Sequence, residues 1–327
     1  MSSNTQPETG STSSLDDLEE AMSDPSISPE AVANLAIALA RKTVEGAAQD
    51  SEQTARDGDT PGLEGFLWAF WGKLLDVADN EPPLHDRLAS VLTAITAKGK
   101  EGCEGWRLWG EAVDWANRPL FGPALRESMN GPTPCVENGR AMLPPYPPDV
   151  QAALAGEPPT DSPHSRSAAA ARTIWLNENA FVARLWALGV ADMAFYGIAT
   201  MRMELEPYSL PPERRPPSGS RYTQPVDIEN AAQWVRIAGK KMFECREILG
   251  PNGNPDWDSH RGAPGSSGGT WDGVDGYHPD RWAHWKDIFK KISEGEGWKK
   301  MIDAAKAAVE AMEQIERELG TGVDTTS

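Results

Sequence analysis

The spacing of apolar residues constrains the fold of this 327-residue chain more than any other feature of its sequence. In at least seven segments, apolar side chains recur every three or four positions, which is the period of an α-helix with one buried face. No run of alternating β-branched residues between hairpin turns accompanies them. We therefore predict an all-α fold, a single domain of about eight to ten helices that pair in antiparallel hairpins.

Apolar stripes, together with the residue types that commonly start or end a helix, place the individual helices. The first is predicted to begin at Ser28, and the others lie at 63–78, 84–95, 106–113, 166–189, 192–206, 226–249, 279–289 and 298–319. Three stretches, 131–163, 207–225 and 250–278, are rich in proline or glycine, and we predict that they are irregular loops. Within the first of them, one helical turn is expected at 149–154.

Both ends of the chain are predicted to be disordered. The first 60 residues hold twelve acidic and three basic side chains and no aromatic residue, a composition that buries too little apolar surface to fold. We therefore expect residues 1–27 to form an acidic tail, with no more than a transient helical turn at 15–22. Residues 321–327 are expected to form a second tail, so that the helical domain spans 28–320.

The charge and the cysteine content limit the kinds of partner that the chain could bind and the cellular compartment in which it is expected. A formal net charge of -18 argues against nucleic acid as a partner. The longest apolar run, 31–40, is too short for a bilayer span of about 20 residues, so no membrane association is expected. Three scattered cysteines and an N-terminus without a secretory signal predict an intracellular protein, cytoplasmic or nuclear.

Motifs that would indicate an enzyme or a metalloprotein are incomplete in this chain. The Gly-Ser-Ser-Gly-Gly run at 265–269 matches a nucleophile elbow but has no preceding strand. The acidic run at 254–260 resembles the start of a calcium loop but lacks its turn glycine and its closing glutamate. The five histidines do not have zinc-ligand spacing on one helix. We therefore predict no metal, no cofactor and no catalytic residue.

Tryptophan is abundant, with thirteen residues in the chain. Trp-x-x-Trp occurs three times, at 68–71, 106–109 and 282–285, and on a helix this spacing places two indoles on one face. An aromatic cage for a cation is one interpretation. Core filling is the one we favour, because each pair lies within a longer apolar stripe.

The polar residues that stand out lie among apolar ones at 173–206. Asn177 and Arg184 share a helical face with apolar neighbours, whereas Glu178 is expected to face solvent. A hairpin with the next helix would bring them near Arg202 and Glu206. This arrangement is either a buried polar network that fixes helix register or the lining of a ligand pocket. The candidate binding residues are Trp175, Asn177, Asn179, Arg184, Arg202 and Glu206.

At these same residues the chain resembles a family of fungal proteins known as domain of unknown function 3632. The resemblance is carried by residues 173–185, with the Asn-x-Asn pattern of Asn177 and Asn179, and by residues 201–206, where Met203 departs from the expected alanine or glutamate. Shorter blocks fit the same family around Trp71, His85, Trp234, Gly239, Arg281 and Trp285. The resemblance covers about 63–312 and implies an all-α domain, but it assigns no activity and no catalytic residue.

Two functions remain open from the sequence. The leading interpretation is a helical protein-interaction or regulatory module without catalysis, with a protein as its partner. The alternative is a small-molecule-binding protein or enzyme with a pocket around Asn177, Arg184, Arg202 and Glu206. No pairing of a nucleophile with a base is visible, which favours the first interpretation.

Overall fold

The computed structural model describes residues 14–49, 58–132, 136–137, 140–141, 145–215 and 224–320. The chain is 67% helical with 2% strand, which confirms the predicted all-α class. Contacts group the chain into two compact units, Met1–Ser128 and Met129–Ser327. In the described part of the chain, no helix combines the length and the apolar character that crossing a membrane requires.

Five α-helices and one hairpin make up the described part of the first unit. They are α1 (Leu15–Ser23), α2 (Pro29–Gln49), α3 (Leu63–Asn80), α4 (His85–Ala97), β1 (Arg107–Leu108), β2 (Glu111–Ala112) and α5 (Phe121–Ser128). The core of this unit forms around α3, whose Trp71 is fully buried and donates from Nε1 to the carbonyl of Pro119 at 2.7 Å. Trp71 also packs edge-on against Phe121 of α5.

Helix α1 overturns part of the predicted acidic tail. Its Leu18 and Met22 are fully buried, and the helix packs on α3. Arg87 of α4 donates to the carbonyls of Ala21 and Met22 at the end of α1 and to that of Ile27 beyond it. Two apolar anchors and one guanidinium therefore hold a segment whose composition alone indicated disorder. The rest of that tail, 1–13, and the predicted C-terminal tail, 321–327, lie outside the described residues.

A β-hairpin replaces the helix predicted at 106–113. Strands β1 and β2 pair antiparallel through a two-residue turn, Trp109 and Gly110, which have φ of 53° and 82°. Two consecutive positive φ angles define the tight turn that matches strand twist, and they are incompatible with a right-handed helix. Trp109 is consequently exposed at the hairpin tip and does not lie in a core.

The described part of the second unit holds six further helices and a second short hairpin. Its elements are β3 (Val136–Glu137), β4 (Arg140–Ala141), α6 (Pro148–Leu154), α7 (Pro163–Ala187), α8 (Ala194–Thr200), α9 (Pro225–Glu244), α10 (Pro279–Glu294) and α11 (Lys299–Gly320). Helix α9 is central, because α7 and α11 both pack along it, and α10 packs on α11.

Helix α6 confirms the helical turn predicted inside the first proline-rich stretch. The turn is not an isolated surface feature, because Val150 and Leu154 form a small apolar cluster with Tyr146 and with Ala168 of α7. The proline-rich stretch therefore folds back onto α7 at this point. Elsewhere in 131–163, strands β3 and β4 form a short hairpin that was not predicted, and residues 133–135, 138–139 and 142–144 lie outside the described residues.

The helix predicted at 192–206 is built from three different kinds of turn. Helix α8 continues into a π-helical turn, Met201–Leu205, and then into a 3₁₀ turn, Glu206–Ser209. The predicted antiparallel hairpin of this segment with α7 is wrong, because α7 packs mainly along α9. The π turn and α9 also contact each other, so this segment reaches the centre of the second unit.

Candidate functional site

The buried face of α7 is shifted by about one residue from the face that the sequence predicted. Glu178, expected to face solvent, is only 3% exposed, and Asn179 and Trp175 are buried beside it. Asn177 and Arg184 are half-buried. Ile174, expected in the apolar stripe with them, is 40% exposed. The buried face therefore runs through Trp175, Glu178 and Asn179.

Asn179 connects α7 to α9 at the centre of this face. Its Nδ2 donates to the carbonyl of Trp175 at 2.9 Å, and its Oδ1 accepts from Nε1 of Trp234 at 3.0 Å. Both Asn179 and Trp234 are fully buried. The amide therefore satisfies the single donor of a large indole that would otherwise be desolvated without a partner.

Glu206 is fully buried and belongs to an ion pair with Arg281 of α10, which is also fully buried. Arg281 Nε donates to Glu206 Oε1 at 2.7 Å, and Trp285 Nε1 donates to the same oxygen at 2.8 Å. The other oxygen, Oε2, accepts from the backbone N–H of Gly268 at 2.6 Å. Both carboxylate oxygens are thus occupied by donors of the protein itself.

Arg281 also fixes the glycine-rich segment that precedes α10. Its terminal nitrogens donate to the carbonyls of Gly265, Ser266 and Gly276. At Gly268 any side chain would collide with the backbone carbonyl of Arg202. Residues 250–277 are irregular, as predicted, but they are not a free surface loop, because the buried Arg281 holds them against the 3₁₀ turn.

Of the four residues that were predicted to share one site, Glu206 forms its ion pair with Arg281, a residue outside that set. Arg202 is half-buried on the π turn, and its backbone faces the glycine-rich segment. A ligand role for Asn177, Arg184 and Arg202 remains a prediction.

A second buried acidic group lies where the π turn meets α9. Glu204 and Asp227 are both buried, and Glu204 Oε2 accepts from Asn230 Nδ2 at 2.8 Å. Burial raises the pKa of Asp227 to about 8. Burial, followed by the proximity of Asp227, raises the pKa of Glu204 well above its ordinary value. Two carboxyl groups in one low-dielectric site disfavour double ionisation, so they hold at least one proton near neutral pH.

An open cleft of about 450 Å³ lies where α7 and α9 end and α8 begins, and we refer to it as the acidic cleft. It is lined by Trp186, Gly189, Ala191, Asp192, Ala194, Lys241, Glu244, Cys245 and Glu247. Leu188 and Phe195, which directly adjoin lining residues in the sequence, are 55% and 50% exposed. The cleft thus combines carboxylates with apolar lining side chains, and two exposed apolar residues are sequence neighbours of its lining.

A metal centre is not among the arrangements found. Across the residues that the structure describes, no three His, Cys, Asp or Glu side chains are grouped so that they could hold a metal ion. The polar centre of the second unit therefore consists of amide, indole, carboxylate and guanidinium groups that bond to one another.

The family model described as "Protein of unknown function (DUF3632)" matches residues 71–289. The chain belongs to the DUF3632 family. The match runs from α3 into α10, so it includes Asn179, Trp234, Glu206 and Arg281. Comparison with curated proteins and with solved structures found no match. The family membership predicted from the motifs is confirmed.

Arg281 is the residue that reasoning from candidate motifs missed. It lies four positions before Trp285 and seven before Ile288, a spacing that places an arginine on the buried face of α10. A buried arginine requires an anionic or carbonyl partner. The signal available in the sequence was therefore the spacing of Arg281 on the apolar face of α10, together with a nearby glycine-rich segment whose backbone carbonyls could accept its hydrogen bonds.

Proposed function

We propose that this chain is a protein-interaction or regulatory module without catalysis. The observation that carries the proposal is the acidic cleft with Leu188 and Phe195 exposed beside it. Single exposed apolar residues are ordinary, but two large ones next to one cleft indicate a surface that a partner covers.

The state of the polar centre supports a non-catalytic role. Catalytic carboxylates must be able to reach a reacting group, whereas both oxygens of Glu206 accept hydrogen bonds from Arg281, Trp285 and Gly268. The amide of Asn179 is likewise engaged in hydrogen bonds with the carbonyl of Trp175 and the indole of Trp234. The alternative, a small-molecule pocket around Asn177, Arg184, Arg202 and Glu206, loses its only acidic member to this internal pairing.

The experiment compares the complexes that the full chain forms in the cells that produce it. Wild type, a Leu188→Ser/Phe195→Ser double variant and a Trp298→Ser control are captured after chemical cross-linking, and the attached proteins are quantified. Trp298 is also a partly exposed apolar residue, but it is not a lining residue of the acidic cleft. We expect a defined set of proteins with wild type and the control, and at least a tenfold loss of that set with the double variant.

The same three proteins, together with an Arg202→Ala variant, test the alternative function. Each is heated with a metabolite extract, and the midpoint of thermal unfolding is recorded. A metabolite that stabilises wild type and the double variant equally, but not an Arg202→Ala variant, would replace the interaction proposal with the small-molecule one. Capture that is identical for all three proteins would also contradict the proposal.

A further inference from the structure

We propose that the acidic cleft is a docking surface for a basic peptide segment of a partner protein, and that this segment carries a large apolar anchor residue. The inference rests on the proposed interaction function and adds the chemistry of the partner. Its evidence is the shape of the cleft, the sign of its charge and the position of its apolar residues.

The floor of the acidic cleft is apolar and well supported. Trp186, Ala191 and Ala194 line it and are themselves buried. Trp186 packs against the rings of Trp234 and Tyr277, so its indole is held from behind by the core of the second unit. A volume of about 450 Å³ is within the size range of binding pockets and accommodates one or two large side chains.

The rim of the acidic cleft is negative. Three exposed carboxylates, those of Asp192, Glu244 and Glu247, face one exposed lysine, Lys241. None of the three forms an ion pair within the part of the chain that the structure describes. An arriving cation would therefore meet carboxylates that outnumber the cationic groups near them, Lys241 and Arg261.

The titration of the lining groups agrees with this charge. Partial withdrawal from water and then the carboxylate of Asp192 raise the pKa of Glu247, against the opposing effect of Arg261. Partial burial raises the pKa of the Cys245 thiol, and Glu247 and Asp192 add to the increase. Carboxylates that repel each other gain most from a cation placed between them.

The negative rim of the acidic cleft and the apolar surface beside it together favour a basic peptide over other ligands. The carboxylate rim repels phosphate groups, which excludes nucleic acid and anionic lipid. A small cation would satisfy the rim but would leave Leu188 and Phe195 exposed. A basic segment with an apolar anchor satisfies both, with the anchor on the floor and its lysine or arginine residues at the rim.

The test uses three synthetic peptides of equal length with a fluorescent label. One alternates lysine and leucine, the second replaces each lysine by glutamate, and the third replaces each leucine by serine. Binding to the full-length wild-type chain is followed by fluorescence anisotropy. We expect the lysine–leucine peptide to bind at least tenfold more tightly than either of the others, and its affinity to decrease as salt is added.

Two pairs of charge-matched variants locate the binding. Asp192→Asn/Glu247→Gln removes two carboxylates from the rim and keeps the oxygen with which Asp192 caps Ala194. Glu294→Gln/Glu296→Gln removes the same charge at exposed positions at and just beyond the end of α10. We expect at least a fivefold loss of affinity with the first pair and less than a twofold loss with the second. Circular dichroism verifies that both variants are folded.

Three results would overturn the inference. Equal losses in the two charge variants would indicate attraction to net charge alone, and equal binding of the lysine–serine peptide would exclude an apolar anchor. Concentration-dependent dimerisation that Phe195→Ser abolishes would assign the surface to a second copy of this chain. If cellular capture depends on Leu188 and Phe195 but the lysine–leucine peptide does not bind, only the partner chemistry is wrong. If both fail, the interaction function fails with it.

Discussion

Asn179 is one of the residues through which α7 and α9 exchange side-chain hydrogen bonds, and it is fully buried. Replacing it by alanine leaves the buried indole nitrogen of Trp234 without its acceptor. We expect Asn179→Ala to lower the free energy of unfolding by about 1–3 kcal/mol in urea denaturation, which is the cost of an unsatisfied buried polar group.

A matched control for this substitution exists on α3. Like Asn179, Asn80 donates from its amide to a carbonyl four residues back on its own helix, but Asn80 is exposed. Asn80→Ala should change the unfolding free energy by no more than about 0.5 kcal/mol. Similar losses for the two variants would show that Trp234 does not depend on Asn179.

Arg281 is a fully buried cation whose removal should be costly, because its partner Glu206 is fully buried too. Arg281→Ala leaves the buried Glu206 carboxylate unpaired and removes the donors that hold the glycine-rich segment. Breaking a buried ion pair in this way costs about 3–5 kcal/mol. We expect a loss of that size in urea denaturation and faster proteolytic cleavage within 250–277, with the exposed Arg236→Ala as the control.

A double variant separates the two roles of Arg281. In Glu206→Gln/Arg281→Met no buried charge is left unpaired, so part of the lost unfolding free energy should return. Methionine cannot donate to the carbonyls of Ser266 and Gly276, so cleavage within 250–277 should remain fast. Slow cleavage in the double variant would show that the segment does not need Arg281.

At the scale of elements, the hairpin between β1 and β2 can be compared with helix α3. Replacing a glycine by alanine should have opposite effects on stability in the two elements. Gly110 has a φ of 82° with open space around it, whereas Gly72, inside α3, also has open space but helical geometry. Gly110→Ala should lower the unfolding free energy by about 1–2 kcal/mol, since only glycine adopts this φ without strain.

Gly72→Ala should raise the unfolding free energy by about 0.5–1 kcal/mol, because alanine loses less backbone entropy in a helix. Urea denaturation of both variants measures the difference in sign. A gain from Gly110→Ala would mean that the hairpin turn does not hold its left-handed geometry in solution.

The helices that were predicted correctly are those whose sequences carry a local signal. Apolar stripes and N-terminal prolines located α9 and α10, because period and capping are decided within a few residues. The 106–113 prediction failed because the Trp-x-x-Trp spacing outweighed Gly110, whose positive φ decides the turn. The local sequence pattern was therefore enough to predict the all-α class and most of the helices.

Tertiary partners account for what the sequence did not show. Helix α1 depends on Arg87, 65 residues from Met22, and Glu206 depends on Arg281, 75 residues away. The register of α7 was misjudged by one position, because Glu178 and Asn179 are polar residues on a buried face. Buried polar pairs invert the rule that polar residues face solvent, so their position follows from the partner and not from the pattern.

At the scale of the whole molecule, the buried carboxyl groups determine how stability responds to pH. The folded state raises the pKa of Asp227 to about 8 and that of Asp79 to about 7, in both cases mainly through burial. The unfolded chain releases these protons near the ordinary value of 3.8. At pH values between the unfolded and the folded pKa, the folded state binds more protons than the unfolded state does. The free energy of unfolding therefore decreases as pH rises through this range.

We therefore expect urea denaturation of wild type to show lower stability at pH 8 than at pH 5. Asp227→Asn removes one of the titrating groups and should flatten this dependence, making the variant more stable than wild type at pH 8 by about 1–3 kcal/mol. The exposed Glu294→Gln should follow the wild-type curve. Wild-type stability that increases from pH 5 to pH 8 would contradict the protonated state of the buried pair.

The π turn before Glu206 has a consequence for the length of the chain. In this turn the N–H of Glu206 donates to the carbonyl of Met201, five residues back, so the turn holds one residue more than an α-helical turn. In a regular α-helix one extra residue would turn everything after it by about 100° around the axis. Because the π turn absorbs that residue, deleting the exposed Met203 should restore an α-helical turn and keep Glu206 beside Arg281. A relative shorter by one residue here should therefore lack the π turn and keep the ion pair.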